Sequence, residues 1–330
     1  PIYSHYKALG INQTGVAKAH RKTIYDVYQW VNDRLVYQIY PGLTMNPSLH
    51  PMYDYACADE MQSTTVQDLL HVFNVTHQGQ VLYCGDSYQR GVVKLSSFSL
   101  LGPFLYKQLG KPLPQTTLPE THRLMPSVAK LCHELVLLMN TLNGGKSDKL
   151  AYSEIQSALI EEHATINWSE PSQMNWHSLN TDASLAAVVL NPGDASLLIN
   201  YGFGRRSVFE MDEVRGLQFS KVLVFLSART LEAFIKVNQK MLEAGVTPEQ
   251  ALKVLHHASS EKGVMHEASD FDILSQLMTA ISCSLGDIWI HCEAMTKVQK
   301  HQLNVFLPWL QRRCEGRNIL EAKVSTKDEW

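Results

Sequence analysis

The sequence predicts a mainly α protein, a helical subunit with room for a few short strands in its middle third. The first observation is the block from Leu217 to Arg313, where apolar residues recur at intervals of three and four. This spacing places them on one face of a helix. The second observation is that residues typical of helix ends, namely glycine, proline and capping residues, lie along the chain at spacings that match the length of a helix.

The first predicted helix runs from Val16 to Tyr37. Its apolar face consists of Ile24, Val27, Tyr28, Val31 and Leu35, which follow the helical period. Pro41-Gly42 ends it. Three prolines and no helical period between residues 40 and 55 predict an extended arm or a long packed loop. A second helix is expected to begin near Thr64.

The region up to residue 126 is less regular. Val81–Tyr83 and Val92-Val93 read as short strands, or alternatively as coil leading into a short helix from Phe104 to Leu109. Four prolines between residues 111 and 126 predict a stiff crossing. We therefore expect an N-terminal arm and first helical lobe over residues 1–110, the crossing over 111–126, and the main helical core over 127–330.

The core is expected to open with a strong helix from Ser127 that Gly144-Gly145 stops. The polar residues 143–149 predict an exposed loop or an insertion, and a helix from Tyr152 to Ala164 is expected after it. Ala186 to Leu190 is either a strand or a short helix, and Asn191 to Asp194 has the composition of a turn.

The last block is predicted as a series of helices. The segment 217–244 forms one helix whose Val222–Leu226 portion, apolar on all sides, lies in the core, and Gly245 ends it. Thr247 and Gln250 have the spacing of a capping box that starts the next helix. A third helix is expected over residues 273–285, and a fourth from Asp287 to about Phe306.

Composition limits the function classes. Of the 330 residues, 45% are hydrophobic and 18% are charged, which is below the usual quarter for a soluble domain. This balance favours a large single core or a subunit that hides surface against copies of itself. The formal net charge of -3 argues against tight nucleic-acid binding by the whole surface, although it allows a local basic patch. No apolar run approaches the length of a transmembrane helix, so we expect no membrane partner.

The sequence offers no convincing catalytic, cofactor or metal site, and we predict none. His133-Glu134 resembles the start of a zincin motif, but Leu137 stands where the second histidine would be. We expect both residues on the solvated side of their helix. Asp68 and His71 have the spacing of a helical metal pair without a second copy. The six cysteines show no two-residue spacing, which predicts buried, reduced thiols in a cytosolic setting.

One loop is a candidate phosphate or RNA contact. Gly202 to Arg206 combines flexible backbone with Arg205 and Arg206, and Lys221 follows it. The structural alternative is a glycine turn with solvated arginines.

A second basic run opens the first helix. Its members Lys18, Arg21 and Lys22 are either RNA contacts, with aromatic residues nearby for stacking, or the solvated face of the helix.

In general character the chain resembles the capsid protein of a small double-stranded RNA virus, of the partitivirus kind. The arm-like segment from Tyr3 to Tyr55 and the helical block after Leu217 carry this resemblance. It implies a self-assembling shell subunit that forms dimers within a larger shell in the virion or the host cytoplasm, with RNA on the inner surface. The alternatives are a viral-type RNA-binding nucleoprotein and a helical enzyme whose site is built from dispersed residues.

Overall fold

The structure is a computed structural model that describes most of the second half of the chain and parts of the first. The described residues are 22–23, 25–26, 53–64, 66–77, 80–86, 88–89, 102, 105–106, 109–110, 114, 116, 118, 120–142, 156–159, 164–169, 179, 181–252 and 268–315. The chain divides into two compact units. One consists of Pro1–Asp54 with Asn74–Gln80, and the other of Tyr55–Phe73 with Val81–Trp330.

The smaller unit is described in part. Residues 22–23 and 25–26 are helical. A parallel bridge joins Tyr53 to Thr76, and the Tyr53 carbonyl accepts a hydrogen bond of 2.6 Å from the His77 amide.

The larger unit begins with a two-stranded parallel ribbon. Strand β1 (Ala56–Ala58) pairs with β2 (Val81–Tyr83), and helix α1 (Val66–Asn74) follows β1 in the chain. Met61, Leu69 and Leu105 form a small apolar cluster beside this ribbon. A second two-stranded ribbon pairs β3 (Glu120–Thr121) with β4 (Gln156–Ser157), and the long helix α2 (Pro126–Leu142) begins shortly after β3.

The centre of the larger unit is a five-stranded sheet in which every pairing is parallel. Its strands lie in the spatial order β5-β9-β8-β6-β7. Their bounds are β5 Ile166–Ser169, β6 Leu185–Val189, β7 Val208–Glu210, β8 Lys221–Leu226 and β9 Ile288–Cys292.

Helices follow the strands of this sheet. They are α3 Ala195–Asn200, α4 Met211–Val214, α5 Ala228–Glu243, α6 Pro248–Leu252, α7 Ala268–Ser282, α8 Lys297–Gln302 and α9 Phe306–Glu315. Right-handed crossovers put connections that run in opposite directions along a sheet on opposite faces. The β6-to-β7 connection, which contains α3, therefore covers one face, and the β8-to-β9 connection, which contains α5 and α7, covers the other.

The hydrophobic core reflects this layering. Alternate residues of the central strands, such as Val188, Val224 and Ile290, pack on one face with residues of α2, α5, α7 and α9. The intervening residues, such as Ala187 and Phe225, pack on the other face with Leu198 of α3. The sheet is thus covered on both sides, as a doubly wound α/β fold requires.

The prediction of a mainly α protein is wrong, because the parallel sheet makes this an α/β fold. The segment 217–244 is not one helix: Lys221–Leu226 is strand β8, and α5 begins only at Ala228. The fourth predicted helix is also wrong at its start, since Ile288–Cys292 is strand β9. A strand buried on both faces is apolar throughout, so its sequence cannot be distinguished from a buried helix segment by periodicity.

Several local predictions are confirmed. Helix α2 occupies the segment predicted from Ser127, Val81–Tyr83 is a strand, and Ala186 to Leu190 takes the strand alternative. The capping box before α6 is present, since the Gln250 amide donates to Thr247 Oγ1 at 3.2 Å. The helix expected from Tyr152 to Ala164 is wrong where the chain is described, because Gln156–Ser157 is a strand.

Other predictions fall outside the described residues. These are Val92-Val93, the loop at 143–149 and most of the helix from Val16 to Tyr37. The division of the chain at residues 110 and 126 stays a prediction.

Candidate functional site

The topology of the five-stranded sheet marks one place where a ligand crevice is expected. From β6 the chain turns toward β7 across one face, whereas from β8 it turns toward β9 across the other. The two connections diverge at the carboxyl ends of β6 and β8, which are adjacent strands. In open α/β sheets such a topological switch point is where ligands bind.

Polar side chains gather at this edge. We call them the carboxyl-edge site and define it as the following residues from four strand ends: Asn191, Asp194, Glu210, Ser227, Thr230 and Glu293. Asn191 and Asp194 follow β6, and Glu210 is the last residue of β7. Ser227 and Thr230 follow β8, and Glu293 follows β9.

The loop after β6 supplies the first of them. It is a tight turn in which Gly193 has a φ of 89°, a left-handed conformation that favours glycine. The turn directs Asp194 inward, where only 3% of the residue is exposed. Its Oδ2 accepts a hydrogen bond of 2.5 Å from Ser227 Oγ and lies 3.5 Å from Thr230 Oγ1. Asp194 thereby ties the loop after β6 to the start of α5.

Ser227 serves this junction in two ways. It is the N-cap of α5, and its Oγ accepts a hydrogen bond of 3.2 Å from the Thr230 amide. Asn191 Nδ2 donates to Thr230 Oγ1 at 2.9 Å. Ser227 and Thr230 are both almost fully buried. These hydrogen bonds hold the two loops in a fixed arrangement.

Two further carboxylates come from the strands on either side of this pair. Glu293 Oε2 accepts a hydrogen bond of 2.6 Å from the Ala228 amide, the first amide of α5. Glu210 Oε1 accepts one of 3.3 Å from the Gly193 amide. Glu210 also forms a capping box with Glu213 at the start of α4. Both glutamates are half-buried.

The charge balance of the site is acidic. Three carboxylate residues lie at this edge of the sheet, and the neighbouring basic residue Arg229, the second residue of α5, is exposed. Such a site accepts hydrogen bonds from hydroxyl groups and attracts positive charge. It disfavours phosphate, because a carboxylate already occupies the helix N-terminal amide that would otherwise attract an anion.

A second polar pair lies at the same edge, on β5 and β9. Ser169 and His291 are partners in the strand register, and Ser169 Oγ lies 3.2 Å from His291 Nδ1. The His291 ring stacks on Phe225 with its centroid 5.8 Å away. Burial lowers the pKa of His291 to about 4, against the raising effect of a hydrogen bond with the Ser169 backbone. The ring is therefore neutral at physiological pH and is part of the core.

The basic residues predicted from the sequence lie elsewhere. Arg205 and Arg206 are exposed on a short 3-10 helix just before β7, and Lys221 is the first residue of β8. All three are at the amino ends of strands, the edge opposite the carboxyl-edge site. Lys221 Nζ forms an ion pair of 2.8 Å with Asp182, which lowers the pKa of Asp182 to about 2 and raises that of Lys221.

The other basic candidates belong to the smaller unit or are not described. Lys22 forms an ion pair of 2.6 Å with Asp26, and both side chains are exposed. Lys18 and Arg21 lie outside the described residues. The phosphate or RNA role of all six basic residues stays a prediction.

Glu134 corrects an expectation about α2. It was expected on the solvated side of its helix, but it is 5% exposed, and its Oε2 lies 2.5 Å from Arg313 Nε on α9. Its partner Arg313 lies 179 positions further along the chain, and the two meet because α9 packs on the same core as α2. No local signal in the sequence indicates such a partner.

The described residues hold no group of three or more histidine, cysteine or acidic residues arranged to bind a metal ion. They also contain no helix with the length and apolar character needed to cross a bilayer.

Comparison with known proteins assigns no family. No protein-family model matches the chain, and no curated protein matches it. The fold and the site define a class instead: a doubly wound α/β protein with an acidic cluster at its switch point.

Proposed function

We propose that this chain binds a small molecule that carries a ribose, a nucleoside, at the carboxyl-edge site. The observation that carries the proposal is the position of Glu210. It ends β7, the strand that follows the β-loop-α turn after β6, and it contacts that turn through the Gly193 amide.

Many doubly wound folds have an acidic residue at the equivalent position. It lies about 20 positions beyond the first glycine turn and accepts hydrogen bonds from ribose hydroxyls. Glu210 lies 17 positions beyond Gly193. Glu210 is half-buried, and its carboxylate has lone pairs to spare after its hydrogen bonds from the Gly193 and Glu213 amides, so a pair of vicinal hydroxyls is a suitable partner.

The same site argues for a nucleoside without phosphate groups. The turn Asn191-Pro192-Gly193-Asp194 lacks the three glycines of a dinucleotide fingerprint. Asp194 and Glu293 place negative charge where a pyrophosphate would lie against the helices. A neutral or cationic nucleoside therefore fits better than a nucleotide.

The test is calorimetric titration of the protein with adenosine and with ATP. We expect adenosine to bind and ATP to bind at least about tenfold more weakly, since one repelled charge contributes on the order of 1 kcal/mol. Glu210→Gln removes the charge and one strong acceptor while keeping the shape, and we expect it to weaken adenosine binding about tenfold.

The matched control is Glu232→Gln on the exposed face of α5, which should leave binding unchanged. If no nucleoside binds at millimolar concentration, or if Glu210→Gln binds adenosine as the wild type does, the proposal is wrong.

A second proposal keeps the self-assembling shell subunit expected from the sequence. The mainly α fold that suggested it from the sequence is wrong, but one observation still favours association between copies. Large apolar side chains are exposed on the larger unit, among them Tyr55 at 77% and Leu118 at 85%. Particle size by light scattering or electron microscopy tests it: large symmetric particles support the proposal, and a monomer of 37.2 kDa at high concentration contradicts it.

A further inference from the structure

The loop that leads from α3 into β7 presents an aromatic side chain close in the chain to two arginines. We call residues 201–206 the aromatic–basic loop. Tyr201 is 45% exposed, and Arg205 and Arg206 are also exposed. We propose that this loop binds single-stranded RNA, with a base stacked on Tyr201 and neighbouring phosphates on Arg205 and Arg206.

The end of α3 and the core fix the backbone of the loop. Gly202 takes a left-handed φ of 98°, and its amide donates to the Ile199 carbonyl at 3.0 Å. The Phe203 amide donates to the Leu198 carbonyl, also at 3.0 Å. These two bonds form a Schellman motif, which reverses the chain after the last helical turn. The Phe203 side chain is 3% exposed and anchors the loop in the core. An ordered loop loses less conformational entropy when it binds a ligand.

A second aromatic residue orients the Tyr201 ring. The ring packs against Phe225 of β8 in a T-shaped arrangement, with centroids 6.4 Å apart and an angle of 66° between the planes. Phe225 is fully buried, so it holds the ring in place. The exposed part of Tyr201 can then stack with a base of any sequence, because every base has a π-face.

The two arginines are better placed to bind phosphate than Lys221. In the parts of the chain that the structure describes, neither Arg205 nor Arg206 forms an ion pair. Their guanidinium groups can therefore make charge-assisted hydrogen bonds with phosphate oxygens without losing an acidic partner. Lys221, by contrast, is paired with Asp182 at 2.8 Å, and a phosphate would have to compete with that carboxylate.

The combination of side chains favours a nucleic-acid strand over a free phosphate. A free phosphate would use the guanidinium groups but not the tyrosine ring, whereas a single strand offers both phosphates and unstacked bases. Arg205 and Arg206 lie at the edge of the sheet opposite the carboxyl-edge site. The proposal is therefore independent of the nucleoside site.

The test is fluorescence anisotropy with a labelled oligouridylate of about 12 nucleotides. We expect Tyr201→Ala to bind it about tenfold more weakly, because it loses the stacking of one base, and Tyr201→Phe to bind it as the wild type does. In Tyr201→Ala the dependence of the binding constant on salt should be unchanged, because no phosphate contact is lost. The matched control is Tyr106→Ala, which removes another exposed tyrosine and should leave binding unchanged.

Photo-cross-linking of the wild-type protein makes the test independent of how well a variant folds. An oligouridylate that contains 5-iodouridine should cross-link to Tyr201, and peptide mass spectrometry identifies the residue. Excess adenosine should leave this cross-link in place, because adenosine is expected at the opposite edge of the sheet.

Three outcomes would overturn the proposal. The first is an affinity of Tyr201→Ala equal to that of the wild type. The second is cross-linking confined to other residues or absent at low salt. The third is displacement of the RNA by adenosine, which would place the strand at the carboxyl-edge site instead.

Discussion

At the scale of single residues, His291 shows how burial sets a chemical property. Its ring is 1% exposed, contacts Ser169 and stacks on Phe225. Burial would strip a charged imidazolium in this position of its hydration, so the neutral form is favoured. The consequence is a link between protonation and stability.

Stability should fall in acid because of this residue. The pKa of His291 is about 4 in the folded protein and about 6.5 when unfolded, so the unfolded state binds more protons between these values. The contribution is fully present above about pH 6.5, declines as the pH falls, and levels off below about pH 4, with a total of at most about 3 kcal/mol. Urea unfolding of the wild type and of His291→Gln between pH 4 and 7 measures it.

The control is His301→Gln, which changes an exposed histidine on α8. It should keep the wild-type pH dependence, whereas His291→Gln should flatten it. Equal slopes for His291→Gln and the wild type would contradict the account of His291.

At the scale of elements, residues distant in sequence join the helices to one another. Glu134 of α2 and Arg313 of α9 form a largely buried ion pair, with side chains that are 6% and 18% exposed. Removing one partner of such a pair leaves an uncompensated charge in a region of low polarity. Losing one partner of the pair therefore lowers the free energy of unfolding by more than the intact pair adds relative to two apolar side chains.

A double-mutant cycle tests this. Arg313→Met should destabilise the protein by about 3 kcal/mol, since it leaves the Glu134 carboxylate without its ion pair, and Glu134→Leu with Arg313→Met should recover most of that loss. Urea denaturation of the wild type, both single variants and the double variant gives the coupling. Additive losses would show that the two residues act independently.

The elements also show which features of the fold the sequence predicts. The capping box of Thr247 and Gln250 and the glycine end of α5 at Gly245 are local signals, and they were predicted correctly. The sequence indicates helix at strands β8 and β9 because the strands with which they pair lie far along the chain: β5 pairs with β9 across more than 100 residues. A short apolar run alone does not show such pairing.

The carboxyl-edge site was missed for the same reason. Its signals are present, since Asn191-Pro192-Gly193-Asp194 follows one apolar run and Ser227 follows another. They gain meaning only when both runs are recognised as adjacent parallel strands, because only then do their polar ends meet at one edge.

At the scale of the whole larger unit, the two edges of the sheet differ in charge. The carboxyl edge has Asp194, Glu210 and Glu293, and the amino edge has the exposed Arg205 and Arg206. This separation allows an acidic ligand site and a basic surface on one sheet. The RNA contact predicted from the sequence would use the basic edge.

Salt-dependent RNA binding would reveal that second surface. If Arg205 and Arg206 contact phosphates, the double variant Arg205→Ala with Arg206→Ala should bind a single-stranded RNA more weakly. The slope of the logarithm of the binding constant against the logarithm of the salt concentration should become shallower by about 1.4, at about 0.7 per phosphate contact. Fluorescence anisotropy at several salt concentrations measures both quantities. Unchanged affinity and slope would exclude these arginines from RNA binding.

The central claim is that the ligand site of this protein lies at the carboxyl edge of its parallel sheet. Hydrogen–deuterium exchange with and without adenosine tests it most directly, because it locates the ligand along the chain. We predict slower exchange at residues 190–194, 208–213 and 227–230, with no change at residues 215–221 of the opposite edge. Protection confined to the opposite edge, or no protection at saturating adenosine, would contradict the account.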